Sequence, residues 1–196
     1  MGQEGVIQSA TEFPCLTKVL RNFTRIDFDL TSAWRHLHWI DFGGDNREMV
    51  RGTWKTAPVY TGDHTAKGRK RNQRPDLNRS ETRAALEAMK KLPELLPEIT
   101  LIMRNIPEIN FAGVSVLGPK SCILPHRHEG QNMICHILLS AVSSMAGLRV
   151  GCHSRVWDSA GESMVFDSSI EHEAWNSDHL HDRSILHIDF TPLTES

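Results

Sequence analysis

The sequence has no C-x-x-C pair. Its four cysteines, Cys15, Cys122, Cys135 and Cys152, are scattered along 196 residues. That argues against a zinc ribbon or a dithiol redox motif and predicts reduced thiols in a cytosolic setting. No run of about 18 apolar residues exists, so no membrane-spanning helix is expected. The first residues lack a charged segment followed by an apolar one, so no secretory leader is expected. Charge of one sign is also scarce in excess. The formal net charge is −2, which offers no basic surface and predicts no nucleic-acid partner. Internal repeats and linker-like stretches are missing too, which fits a single domain over 1–196 with a sizeable core.

What the sequence does have is histidine. There are eleven, and most lie from His126 to His187. Before them, Phe13 to Phe23 predicts a short helix or packing segment. Thr24 to Leu30 alternates polar with apolar at Ile26, Phe28 and Leu30, which predicts a strand. Thr31 or Ser32 then caps a short helix carrying Trp34 and Leu37. Gly43 to Asn46 is a turn, and Met49 to Ala57 another strand. Residues 61–79 are polar, basic and rich in Gly and Pro, so they form a long loop, either solvated or a lid for an acidic substrate. Asn78-Arg-Ser-Glu81 is a capping box for a helix over roughly 80–92, stopped by Pro93. Pro97 and Pro107 bracket a second helix with Ile99, Ile102, Met103 and Ile106 inward.

From residue 111 the apolar period becomes two. Strands are predicted over 111–117, 120–124, 133–142, 147–152, 154–157, 162–167, 171–176 and 183–190. Eight short strands with Gly and Pro between them predict a mainly β protein with flanking helices. The architecture is a double-stranded β-helix, a cupin-like jelly roll. Residues 1–110 would pack on a barrel formed by 111–191.

A common iron site holds two histidines and a carboxylate on one face, leaving positions open for oxygen and a cosubstrate. His126 and position 128 share a face at a strand end, because side chains repeat every second residue. Position 128 is His128, not an acid. His172 lies 46 residues beyond His126 by number (172 − 126), and from a neighbouring strand it completes a set. The third member of that set is His128, Glu129 or water. Downstream, Arg183, Ile185, His187 and Asp189 share one face of the last strand. An arginine there offers a forked pair of donors to a carboxylate.

The block Phe166-Asp-Ser-Ser-Ile-Glu-His172-Glu-Ala-Trp175, Arg183 with Asp189 after it, Ser115 upstream of Pro125-His126, and His136 in an apolar strand resemble the aspartyl/asparaginyl β-hydroxylase family. The resemblance covers about 111–191. It implies an iron(II)- and 2-oxoglutarate-dependent oxygenase with His126 and His172 as iron ligands. It implies that Arg183 and Ser115 hold the distal carboxylate of 2-oxoglutarate and that His136 lies near the other. The partners implied are molecular oxygen and an amino acid, a peptide or an amino-acid-derived metabolite. The sequence departs from the family at His128, where many iron oxygenases have an acid. It also departs at Ile134, where the family usually has a substrate-binding arginine. A second reading is a cupin-type metal enzyme that uses three histidines and no 2-oxoglutarate, and a third is a metal-free binding jelly roll. His153, His179, His181 and His187 read as rim, loop or packing residues. Trp157 and Trp175 read as core or rim aromatics, with Trp175 close enough to His172 to border a pocket.

Overall fold

The computed structural model describes residues 6–41, 48–62, 84, 87–129, 133–140 and 144–192. Two antiparallel sheets face each other. One has six strands in the order β1 (Ile40–Asp41), β3 (Trp54–Thr61), β4 (Ile109–Leu117), β11 (Arg183–Phe190), β6 (Met133–Leu138) and β9 (Ser163–Asp167). The other has five, in the order β2 (Val50–Arg51), β5 (Ser121–His126), β10 (His172–Asn176), β7 (Ala146–Val150) and β8 (His153–Val156). All eight strands expected after residue 111 are present, as the double-stranded β-helix requires. The strand expected to run to residue 142 ends at Leu138.

Strand alternation divides the apolar residues into two cores with the six-stranded sheet between them. Leu117, Ile134, Leu138, Met164, Phe166 and Ile185 point between the sheets, where they meet Leu148, Val150 and Ala174. Their neighbours Val114, Cys135, Ile137, Val165, Leu186 and Ile188 point outward against helices. The helices are α1 (Pro14–Arg21), α2 (Phe23–Ala33), α3 (Leu92–Leu95) and α4 (Pro97–Arg104). In α4 and just beyond it, Ile99, Ile102, Met103 and Ile106 are all buried, as expected.

The segment expected as a strand at 24–30 is the body of α2. Its buried residues are Ile26, Asp29, Leu30 and Ala33, a helical spacing, while Phe28 is 71% exposed. The alternation of Ile26, Phe28 and Leu30 was therefore coincidental. Asp29 decides the matter, because its buried carboxylate accepts from the backbone N–H groups of Glu98 and Ile99 at 2.9 and 3.0 Å. It caps α4, whose own N-cap residue, Leu96, has no side chain to do so. Ser32 lies inside α2 and caps nothing; a 3-10 turn, Trp34–His36, follows. The strand expected at 49–57 is broken at Gly52, which sits at φ 87° with Ser121 pressed against it. Pro93 lies within α3 instead of ending a helix. Residues 6–12 are polar yet anchored. Gln8 exchanges backbone hydrogen bonds with Val165, and Ser9 forms a capping box with Glu12. The turn at 43–46, residues 63–79 of the basic loop and the capping box at 78–81 lie outside the described residues.

Candidate metal centre

His126 ends β5 and His172 begins β10, and the two are direct cross-strand partners. Their ring centroids are 4.2 Å apart. The register explains how both face inward. His172 pairs with His126, but Ala174 pairs with Ile123, so two steps on β10 oppose three on β5. This bulge at Leu124-Pro125 lets Ile123 and His126, three residues apart, share a face that strict alternation would deny them. Pro125 suits the place, since it has no N–H to contribute to a ladder.

Each of the two histidines is oriented in the same way. His126 Nδ1 lies 2.8 Å from the Leu124 carbonyl, and His172 Nδ1 lies 2.8 Å from the Ile170 carbonyl. A carbonyl only accepts, so both Nδ1 atoms carry hydrogen, which in a neutral ring puts the lone pair on Nε2. His128 joins them, held by its backbone N–H on the Ser168 carbonyl at 3.0 Å. Its ring is 5.4 Å from His126 and 5.2 Å from His172. One nitrogen from each of the three lies within 4.8 Å of the others. Glu129 is exposed and stays outside the cluster. Burial holds His172 down at about 4, and burial followed by its neighbour His126 lowers His128. Three imidazoles with converging nitrogens are the donor set of a borderline transition metal.

Arg183 lies on the inner face of β11 at 1% exposure. Its Nε and Nη1 are buried with no hydrogen-bond partner among the described residues, and its guanidinium sits 5.5 Å over the ring of Trp157. Burial lowers its pKa to about 10, which leaves it a cation at neutral pH. A buried arginine with idle donors is costly unless an anion completes it. Ser115 is buried nearby on β4, opposite Ile185. Its Oγ accepts from Trp54 Nε1 at 2.9 Å, so its own hydrogen remains to be given. His136 connects the two regions. Its ring lies 6.4 Å from Trp157 and 5.2 Å from Phe166, and Phe166 lies 5.1 Å from His172. The structure thus brings His126, His128, His172, His136, Arg183 and Ser115 to one interior.

One of the two tryptophans differs from expectation. Trp175 is three residues from His172 on a regular strand and takes the opposite face, over Gly147. It does not border the interior. Trp157 is fully buried there, under Arg183. His187 is more than packing, since it bonds both His136 and Asp189. The inward alternation of β11 was the signal for it. Trp157 is the core aromatic the sequence suggested, but nothing local announced its place under Arg183.

A model of the aspartyl/asparaginyl beta-hydroxylase family matches residues 20–192. Comparison with curated proteins gives no match. Among solved structures, the chain is similar to an oxidoreductase of the 2OG-Fe(II) oxygenase family from Burkholderia pseudomallei, at 12% identity and TM-score 0.48. That match covers 87% of this chain and 79% of the other. It is similar to a Pseudomonas putida prolyl-4-hydroxylase at 13% identity and TM-score 0.43, covering 96% and 92%. A predicted oxalate decarboxylase from Thermotoga maritima is similar at 14% identity and TM-score 0.46, covering 80% and 94%. Membership rests on the sequence match, which spans most of the chain, and not on these structures. The chain belongs to the aspartyl/asparaginyl β-hydroxylase family.

Proposed function

We propose that the chain, as a single domain, is an iron(II)- and 2-oxoglutarate-dependent dioxygenase. Its substrate is an amino acid, a peptide or an amino-acid-derived metabolite, oxidised at a C–H bond. The observation that carries this reading is the buried guanidinium of Arg183, whose Nε and Nη1 lack partners among the described residues, in the same interior as three converging imidazoles. His126 and His172 hold iron through Nε2, each ring fixed by its carbonyl, and His128 supplies the third nitrogen. Arg183 and Ser115 grip the distal carboxylate of 2-oxoglutarate with N–H and O–H donors, and His136 borders the other carboxylate. Trp157 and Phe166 keep water from this space. Iron and 2-oxoglutarate, when bound with molecular oxygen, supply the oxidising power and leave succinate and carbon dioxide.

The third imidazole favours a second reading, a three-histidine metal enzyme that needs no 2-oxoglutarate. Arg183 separates the two. Anaerobic titration of the iron(II) protein with 2-oxoglutarate is expected to produce a weak visible charge-transfer band. Arg183→Gln is expected to weaken 2-oxoglutarate by about 10- to 150-fold, the worth of a lost charge-assisted hydrogen bond, and to leave iron affinity unchanged. Absence of the band, with no succinate formed under oxygen across a panel of amino acids, rejects the first reading. Oxidation independent of 2-oxoglutarate establishes the second.

A further inference from the structure

His136 is the end of a chain. Its Nε2 lies 3.1 Å from His187 Nδ1, directly across from it between β6 and β11. His187 Nε2 lies 2.9 Å from Asp189 Oδ1. At the other end of the chain, His136 Nδ1 is buried and has no partner among the described residues. It belongs to the interior that Arg183 shares.

Counting hydrogens limits what this chain can present. An ionised Asp189 only accepts, so His187 Nε2 carries hydrogen whatever the charge on the ring. His136 is held well below the ordinary histidine range, first by burial and then by the positive surroundings of His187, Arg183, His172 and His128. It therefore carries a single hydrogen. When His187 is neutral, its Nδ1 is a lone pair, His136 donates to it from Nε2, and His136 Nδ1 shows a lone pair to the pocket. When His187 is an imidazolium, its Nδ1 donates instead, and the hydrogen of His136 stands on Nδ1. A carboxylate oxygen accepts a hydrogen bond only from the second arrangement.

We propose that His187 and Asp189 are positioning residues that set the polarity of His136, and that a carboxylate seats on His136 Nδ1 together with one proton stored on His187. The proposal rests on the interior being a diacid site. The balance is simple. The hydrogen on His136 Nε2 passes to His187 Nδ1, the incoming proton takes His136 Nδ1, and no other bond changes. The titratable and charged groups around His187 are Asp189 and Arg183 on its own strand, His136 on β6, and His128 and His172 across the interior. Only Asp189 among them is anionic, and it touches His187, so the new charge is balanced where it forms.

The test uses the full chain loaded with zinc(II), a diamagnetic stand-in for iron(II). It is titrated calorimetrically with 2-oxoglutarate at about pH 8, above the ordinary histidine range, in two buffers of unlike ionisation enthalpy. About one proton is expected to be taken up per 2-oxoglutarate bound. Nitrogen-15 histidine spectra are expected to show the His136 hydrogen on Nε2 before binding and on Nδ1 after it. His187→Gln gives its amide N–H to Asp189 and shows only an acceptor to His136. In that variant the uptake is expected to vanish and 2-oxoglutarate to bind at least about tenfold more weakly, with zinc affinity unchanged. Binding of 2-oxoglutarate without proton uptake by the unaltered protein overturns the polarity switch and leaves the diacid pocket intact. So does a His187→Gln protein that takes up the proton as before. Failure of 2-oxoglutarate to bind at all overturns both.

Discussion

The three imidazoles of the candidate metal centre are not equivalent. His126 and His172 each have an outer hydrogen bond from Nδ1 to a carbonyl two residues back. The Nδ1 of His128 is buried with no such partner among the described residues. Outer partners of this kind fix a ring and are worth roughly 10- to 100-fold in metal affinity. Replacing His126 or His172 with Ala is therefore expected to cost more metal affinity than replacing His128, by about tenfold or more. Competition against a chromogenic chelator measures this. Equal losses at all three positions would show that His128 is held as firmly as its neighbours.

At the scale of elements, the bulge in β5 lets three steps of that strand oppose two of β10 while His126 still faces the candidate metal centre. Removing Pro125 would set two steps against two, restore strict alternation and keep His126 on the inward face of Ile123. That deletion is expected to retain metal binding while the far-ultraviolet circular dichroism keeps its β signature. Loss of metal binding in a folded deletion variant would mean that the bulge itself, and not alternation alone, aims the ring. Much of this level was legible in the sequence. Period-two alternation located all eight strands after residue 111, because each buries one face. The same reasoning went astray at Thr24 to Leu30, where a short run of the helical period imitates alternation and the deciding contact, Asp29 to the start of α4, spans about 70 residues. The bulge was invisible for a similar reason: a register exists only between two strands. His126, His172, Arg183, Ser115 and His136 were singled out from local pattern and resemblance, and the fold brings them to one interior. Trp157 was read only as a core or rim aromatic, since its place under Arg183 depends on how distant segments pack.

For the whole molecule, the interior histidines tie stability to pH. His172 is lowered to about 4, and His128 and His136 are lowered as well, with burial the largest cause in each. In the unfolded chain an imidazole titrates near 6.5. As pH falls from about 6.5 toward 4, the unfolded chain binds protons that the folded one refuses, so stability falls; above that window the contribution is fully present. His172 alone accounts for roughly 3 kcal/mol across it. The metal-free protein is expected to melt at clearly lower temperature near pH 5 than near pH 7. A melting temperature flat over that interval would contradict buried, neutral imidazoles.

The six-stranded sheet, with the candidate site on one side and helices on the other, would also be a shield. Under the proposed oxygenase reading, oxidants escaping an idle turnover would be released beside Met164 and Trp157, both on the inner side. The thiols of Cys15 and Cys135 sit behind the sheet, among the helices. Peptide mass spectrometry after incubation with iron, 2-oxoglutarate and oxygen, but no substrate, should find sulfoxide at Met164 while Cys135 remains unmodified.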